Sequence, residues 1–307
     1  MQTENWMTNL QSNLRDIPII NLAIPGSHNT MTYEIDSHSD IGPDAEKLII
    51  RFGKRIRFFI AYWARTQKTD ITAQLKMGIR YFDLRIAFYN NKYYYTHGLL
   101  AMEWKNPLDE LIKYLECHPL EVVILDFQHF YDLNVSQHKE FQSNLIDLFG
   151  ERLYMPKDGP LHAFTLERSK EMNKQIILIY RKCPKEISNS FWSENSWATP
   201  WPDVTSTKKL EKYLEFNLYS RRSGQGFVSQ CIITPSGRYI AFRFFSSLRS
   251  TAKKVKKKLR PWIEAQTPGI FNENSRPTIN VILFDYVDLR KGEVAKWVIE
   301  LNQKLES

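Results

Sequence analysis

Three cysteines, twelve glycines and no apolar stretch of membrane-spanning length are the scarcities that bound this 307-residue chain. Cys117, Cys183 and Cys231 are odd in number, far apart and in no metal-ligand spacing, which excludes a disulfide scaffold or a cysteine-held metal. A reducing, intracellular setting fits them, although a mature form trimmed of its signal would look similar. No segment reaches the roughly 18 uninterrupted apolar residues of a membrane span, and the opening MQTENWMTNLQSNLRD lacks the apolar core of a secretory signal. The expectation is a cytoplasmic protein with at most peripheral membrane contact. Few glycines beside 43% apolar residues exclude disorder. Acidic residues are outnumbered 34 to 42, for a net charge of +8, which favours anionic partners: phosphorylated small molecules, acidic membrane surfaces or nucleic acid.

What is present is organised around Gly78 to Gly98, GIRYFDLRIAFYNNKYYYTHG. β-Branched and aromatic residues on both sides of Asn90-Asn91 predict two buried strands about a tight turn. Alternation puts Tyr81, Asp83 and Arg85 on one face and Tyr93, Tyr95 and His97 on one face of the second arm. A structural Asp83–Arg85 pair and a satisfied histidine is the plain reading of these residues taken alone.

Along the chain, the apolar run Ile17 to Ile24 reads as a strand ending in Pro25-Gly26-Ser27-His28-Asn29, with an imidazole at its carboxyl end. Pro43 to Ala64 reads as a helix with Leu48, Phe52, Ile56, Phe59 and Trp63 facing the core and Arg51, Lys54, Arg55 and Arg57 as a candidate membrane-facing flank. Helices are expected over Pro107 to Glu116, Gln137 to Phe149, Thr207 to Leu218, Leu248 to Trp262 and Gly292 to Leu305. Strands are expected over Glu121 to Phe127, Gln175 to Tyr180, Gly226 to Thr234 and Asn280 to Phe284. Between Cys183 and Thr207 lies a loop holding Trp192, Trp197 and Trp201, which either lines a site, touches lipid or caps the core. The lysine run from Lys253 to Arg260 reads as a solvated helix face, and with no stacking aromatics it makes no case for nucleic acid. Alternating strands and helices without a flexible linker predict one α/β domain over 1–307, an irregular TIM-type (β/α) barrel with its core at about 17–305.

In a parallel barrel the carboxyl ends of the strands share one face, so His28, Asp83, Arg85, His97, His129, Arg181 and Asp285 would converge there. Two histidines with an arginine are equipment for cleaving a phosphodiester: one removes the nucleophile's proton, the other protonates the leaving oxygen, and the arginine stabilises charge on phosphorus.

LAIPGSHNT, GIRYFDLR, YYYTHG, EVVILDFQHF and VILFDYVD resemble, in order, the motifs of the phosphatidylinositol-specific phospholipase C X domain, most of all those of animal proteins consisting of that domain alone. The resemblance spans nearly the whole chain. It implies a PLC-like phosphodiesterase barrel that cleaves phosphatidylinositol to diacylglycerol and a cyclic inositol phosphate. It implies His28 as general base on the inositol 2-hydroxyl, His97 as general acid, Asp285 as the partner of the base and Arg85 as the phosphate-binding arginine. Arg181 falls at an inositol-binding position, with Asn29 and Asp83 as further substrate contacts.

Calcium-dependent relatives carry two acidic residues where this chain has Asp83-Leu84-Arg85, so metal independence is expected; a guanidinium replaces part of a metal's charge but not its ligand set. Asn29 stands where bacterial enzymes carry an aspartate and where calcium-dependent ones carry asparagine. With Asp83 it is read as a remnant of a cation site, a weaker support for His97, or both. Gln128 and His129 supply no acidic ligand, and Asp203 is a candidate inositol contact. A lipid-binding scaffold on anionic membranes is the competing reading; keeping both His28 and His97 speaks against it.

Overall fold

Ile24–Ser27 (β1) carries proline and glycine inside the strand, where the sequence pattern places a turn. The preceding residues form a 3-10 turn at Ile19–Asn21 instead of the expected extension of the strand. Gly26 explains the difference. A Cβ there would lie 3.0 Å from Tyr81 Cδ1 and 3.1 Å from Val281 Cγ1, so glycine lets β1 press between its two neighbours.

The structure is a computed structural model describing residues 2–45, 57–235, 246–271 and 276–305. β1 pairs in parallel with Val281–Phe284 (β10) on one side and with Tyr81–Tyr89 (β2) on the other. Beyond β2 follow Val123–Tyr131 (β5), Ile176–Tyr180 (β7) and the short Leu153–Tyr154 (β6). Beyond β10 follow Gly226–Gln230 (β9) and Trp197–Ala198 (β8). The central strands run around the curled sheet in chain order, as in a TIM-type barrel. Among the described residues no pairing joins β6 to β8; a single bridge, Ile179 to Trp192, lies near that gap.

The hairpin forms as the sequence pattern predicts. Lys92–Thr96 (β3) folds back on β2 through Asn90 and Asn91, both at positive φ, and Leu100–Glu103 (β4) adds to β3. β2 and β5 run together past the barrel rim to Ala87 and Tyr131, so β5 ends four residues beyond the apolar run that closes at Phe127. Helices cover the outside: Ile71–Lys76 (α1), Lys105–Cys117 (α2), Val135–Phe149 (α3), Leu166–Met172 (α4), Thr207–Leu218 (α5), Leu248–Glu264 (α6) and Glu293–Glu300 (α7). Asn134 starts α3 with a capping box, because its side chain accepts from the Gln137 amide while Gln137 reaches back.

Part of the helix expected over residues 43–64 (46–56, with Leu48, Arg51, Phe52, Lys54, Arg55 and Ile56) lies outside the described residues. Residues 57–64 are helical; Trp63 is buried against Leu248, Ala252 and Tyr286, while Phe58 and Tyr62 face outward. At the opposite end of the strands, Arg80 and Glu121 form a fully buried pair. Arg80 also donates to Tyr114 Oη and Glu121 accepts from Thr8, so the amino-terminal segment with buried Trp6 and Met7 closes that end.

Candidate active site

The register Ser27↔Phe284 sets the next residue of each strand side by side, and those residues are His28 and Asp285. His28 Nδ1 lies 2.7 Å from Asp285 Oδ1, both nearly buried, so Nδ1 carries the proton donated to the carboxylate. That leaves the lone pair on Nε2. It receives Arg85 Nη2 at 3.3 Å and Asn29 Nδ2 at 3.2 Å, with Asp83 Oδ2 3.7 Å away. The tautomer is that of a base waiting for a proton.

Backbone contacts fix this geometry. Asn29 adopts φ 40, which turns the chain sharply after β1, and its amide donates to Asp83 Oδ2. The His28 carbonyl accepts from Thr66 Oγ1 and Gln67 Nε2; Gln67 also holds the Phe284 carbonyl and the Val287 amide. Thr66 and Gln67 therefore lock the ends of β1 and β10 together. They follow the helix over 57–64 and carry no charge, so sequence pattern alone gives them no prominence.

His97 follows β3 directly and its ring centroid stands 6.0 Å from that of His28, edge to face. Its Nδ1 donates to the Ala64 carbonyl at 2.7 Å, so Nε2 is the nitrogen left for a substrate. Burial first, then Arg85 and His28, push its pKa from 6.5 down to about 3, against the Ala64 hydrogen bond. The ring is neutral at pH 7.

Three polar atoms here are buried without partners: Asn29 Oδ1, Asp83 Oδ1 and Arg85 Nε. Arg85 Nε stands 3.9 Å from Asp83 Oδ1, too far for a hydrogen bond. One orphan donor and two orphan acceptors suit a ligand that both accepts and donates, as a phosphate ester with a neighbouring hydroxyl does. They suit calcium poorly, since that ion takes about six to eight oxygens, whereas two are offered here beside a fixed guanidinium. Among the described residues no cluster of three or more histidine, cysteine or acidic side chains could hold a metal.

Trp201 is the member of the tryptophan loop that reaches the site. Its ring lies 5.6 Å from that of His28 and 5.7 Å from the Arg85 guanidinium carbon, with 41% of the residue exposed. Trp192 and Trp197 are instead core residues; the Trp197 ring packs on Gly226, where a Cβ would come within 2.0 Å.

Arg181 stands one residue past β7, but its guanidinium is engaged. Nε and Nη2 bind Asp126 at 2.7 Å each, and Nη2 also donates to the Trp197 carbonyl. Burial works against that charge, and Asp126 more than offsets it, so the arginine stays protonated. Asp126 in turn accepts from Tyr81 Oη at 2.5 Å. His129 lies inside β5, not beyond it, opposite Arg85. Its Nδ1 receives Lys182 Nζ, and burial, Arg85 and Lys182 push its pKa down to about 4. The structure thus brings His28, Asn29, Asp83, Arg85, His97 and Asp285 into one site, with Arg181 in a buried network beside it. Asp203, the remaining inositol-contact candidate, has no interaction in this site among the described residues.

Solved structures with this architecture include a phosphatidylinositol-specific phospholipase C from Listeria monocytogenes, with a TM-score of 0.67 at 19% identity, covering 98% of this chain and 99% of that one. One from Staphylococcus aureus gives 0.67 at 18% identity, covering 98% of each chain. The fold is therefore the irregular TIM-type α/β barrel that those two structures share. Mouse PI-PLC X domain-containing protein 2 is 34% identical over 98% of this chain and 88% of its own length. Human PI-PLC X domain-containing protein 3 is 31% identical over 98% and 94%, and zebrafish PI-PLC X domain-containing protein 1 is 30% identical over 98% and 97%. The chain belongs to the family of PI-PLC X domain-containing proteins. No family model matches it.

Proposed function

We propose that the protein cleaves phosphatidylinositol by intramolecular attack, releasing diacylglycerol and a cyclic inositol phosphate, without a metal. The observation that carries this reading is the pairing of His28 Nδ1 with Asp285, which leaves Nε2 as a base beside Arg85. His28 Nε2 takes the proton of the inositol 2-hydroxyl and that oxygen attacks phosphorus. Asp285 stabilises the imidazolium that forms. Arg85 binds the phosphoryl oxygens, and its unpartnered Nε is the donor kept for them. As the phosphorus–oxygen bond to diacylglycerol breaks, His97 Nε2 protonates the departing oxygen.

For His97 to act as an acid it must hold a proton, and the negative charge of the bound phosphate offsets the burial and the Arg85 charge that oppose it. Asp83 and Asn29 offer oxygens to inositol hydroxyls, and Trp201 offers an aromatic face to the ring. Arg181, through its remaining Nη1, completes the inositol side. Contact with an anionic membrane is peripheral in this reading: among the described residues no helix is long and apolar enough to cross one.

The test is diacylglycerol release from phosphatidylinositol vesicles by the wild type, His28→Ala and His97→Ala, with vesicle binding measured in parallel. Release by the wild type that both variants lose, with binding retained, supports the reading. Vesicle binding without release by any of the three would replace it with a lipid-binding scaffold.

A further inference from the structure

The lysine run on α6 is not uniformly solvated. Lys253, Lys254, Lys257 and Lys258 are exposed, but Lys256 is 3% exposed and sits among Thr251, Ala252, Val255 and Leu259 on the face that packs inward. Nothing in the proposed chemistry uses it. Its Nζ donates to the Tyr286 carbonyl and lies 5.8 Å over the Phe284 ring. Lys256 and Asp285 line the same tight cavity, with Cys231, Ile232 and Ile233 completing the wall. The ammonium is thus bound to the residue after the aspartate, over the residue before it, and faces the aspartate across the space between.

We propose that Lys256 is a positioning residue for the Asp285–His28 pair: its ammonium pins the carbonyl of Tyr286, the residue after Asp285, and offsets part of the Asp285 carboxylate's charge, which sets how readily His28 takes up a proton. The pinning is one of several restraints on the segment. Gln67 holds the Phe284 carbonyl, the Tyr286 amide donates to the Thr66 carbonyl, and Tyr286 Oη donates to the Arg65 carbonyl. Tyr286 itself sits at φ 49, an uncommon conformation for a bulky residue, which such restraints hold in place.

The charged and titratable groups facing Lys256 come from four elements. Asp285 and Asp288 follow β10, Glu293 opens α7, Cys231 follows β9, and Arg249 lies on α6 itself. Lys253, Lys257 and Arg290 share a second cavity with it. Arg249 is engaged by Asp288 through two hydrogen bonds, and Arg290 pairs with Glu293. Asp285 is the strongest charge acting on the lysine. Burial lowers the Lys256 pKa to about 7, against Asp285, so the charge facing the pair is lost as pH rises through neutrality.

This inference rests on the role given to His28, but its test does not need turnover. Histidine-labelled protein is titrated by NMR, following the His28 ring in the wild type, Lys256→Met and Lys256→Gln; Gln keeps a donor for Tyr286 and is the second variant should Met disturb packing. With the opposing charge gone, the His28 ring takes up its proton at higher pH in both variants, by about half a pH unit or more. A His28 curve in either folded variant that superimposes on the wild type, or moves down, overturns the proposal. Absence of lipase activity alongside the expected shift would count against the catalytic reading and leave the coupling standing.

Discussion

Arg85 Nη2 stands 3.3 Å from His28 Nε2 and donates to its lone pair, so the guanidinium occupies the position a proton or a substrate hydroxyl must reach. Arg85 is held there by β2, whose register with β5 shifts between Leu84 and Arg85 and re-aims the side chain. In the proposed reaction, the substrate phosphate would draw the guanidinium onto itself and free Nε2.

Removing the partner of the base should cost rate more than binding. Asp285→Asn keeps a hydrogen-bond acceptor for Nδ1 but no charge for the imidazolium. We expect kcat to fall by about 100-fold or more with KM nearly unchanged, checked by steady-state kinetics on mixed micelles.

Asn29 touches His28 and lies beside Asp83, so a carboxylate there adds negative charge to the whole site. Asn29→Asp should shift the entire pH–rate profile upward, since both histidines then keep their protons to higher pH. A profile that widens on one side only would contradict this.

Burial, then Arg85 and His28, push the pKa of His97 from the ordinary 6.5 of an unfolded chain down to about 3 in the fold. Between those pH values the unfolded chain binds a proton that the folded chain refuses, so stability falls as pH drops from about 6.5 toward 3. His129 acts in the same direction. Urea midpoints measured from pH 7 to 4 should therefore fall less steeply for His97→Gln than for the wild type.

Arg80 and Glu121 have no exposed side-chain surface, so removing one partner strands the other charge. Glu121→Ala should lower unfolding free energy by about 3–5 kcal/mol, and it also frees Thr8 and the amino-terminal segment. Equilibrium denaturation reads both effects.

Trp201 covers His28 and Arg85 from the solvent side. Trp201→Ala should raise KM by about 3- to 10-fold, the scale of one aromatic contact, and leave kcat within a factor of two or so.

Much of this arrangement is legible in the sequence because the strands are nearly pure apolar runs whose exits carry polar residues. His28 and Asp285 are visible that way, each one step past its strand. Two positions show where the pattern misleads. Asp126 sits inside the apolar run EVVILDF and reads as part of a strand, yet a carboxylate buried among apolar residues requires a partner. Arg181 is that partner through Nε and Nη2, and only the register of β5 with β7 shows it. Lys256 is masked in the same way, since five exposed basic neighbours on α6 disguise the one that points inward. Pairing across strands separated by tens of residues is set by register, which local pattern does not encode.

The central claim is that an arginine, not a metal, serves the phosphate. Wild type and Arg85→Ala are assayed on phosphatidylinositol vesicles in EDTA and again with calcium, with the cyclic product followed by phosphorus NMR. The account predicts cyclic inositol phosphate from the wild type in EDTA, no gain with calcium, and loss in Arg85→Ala. Product that forms only when calcium is present would contradict it.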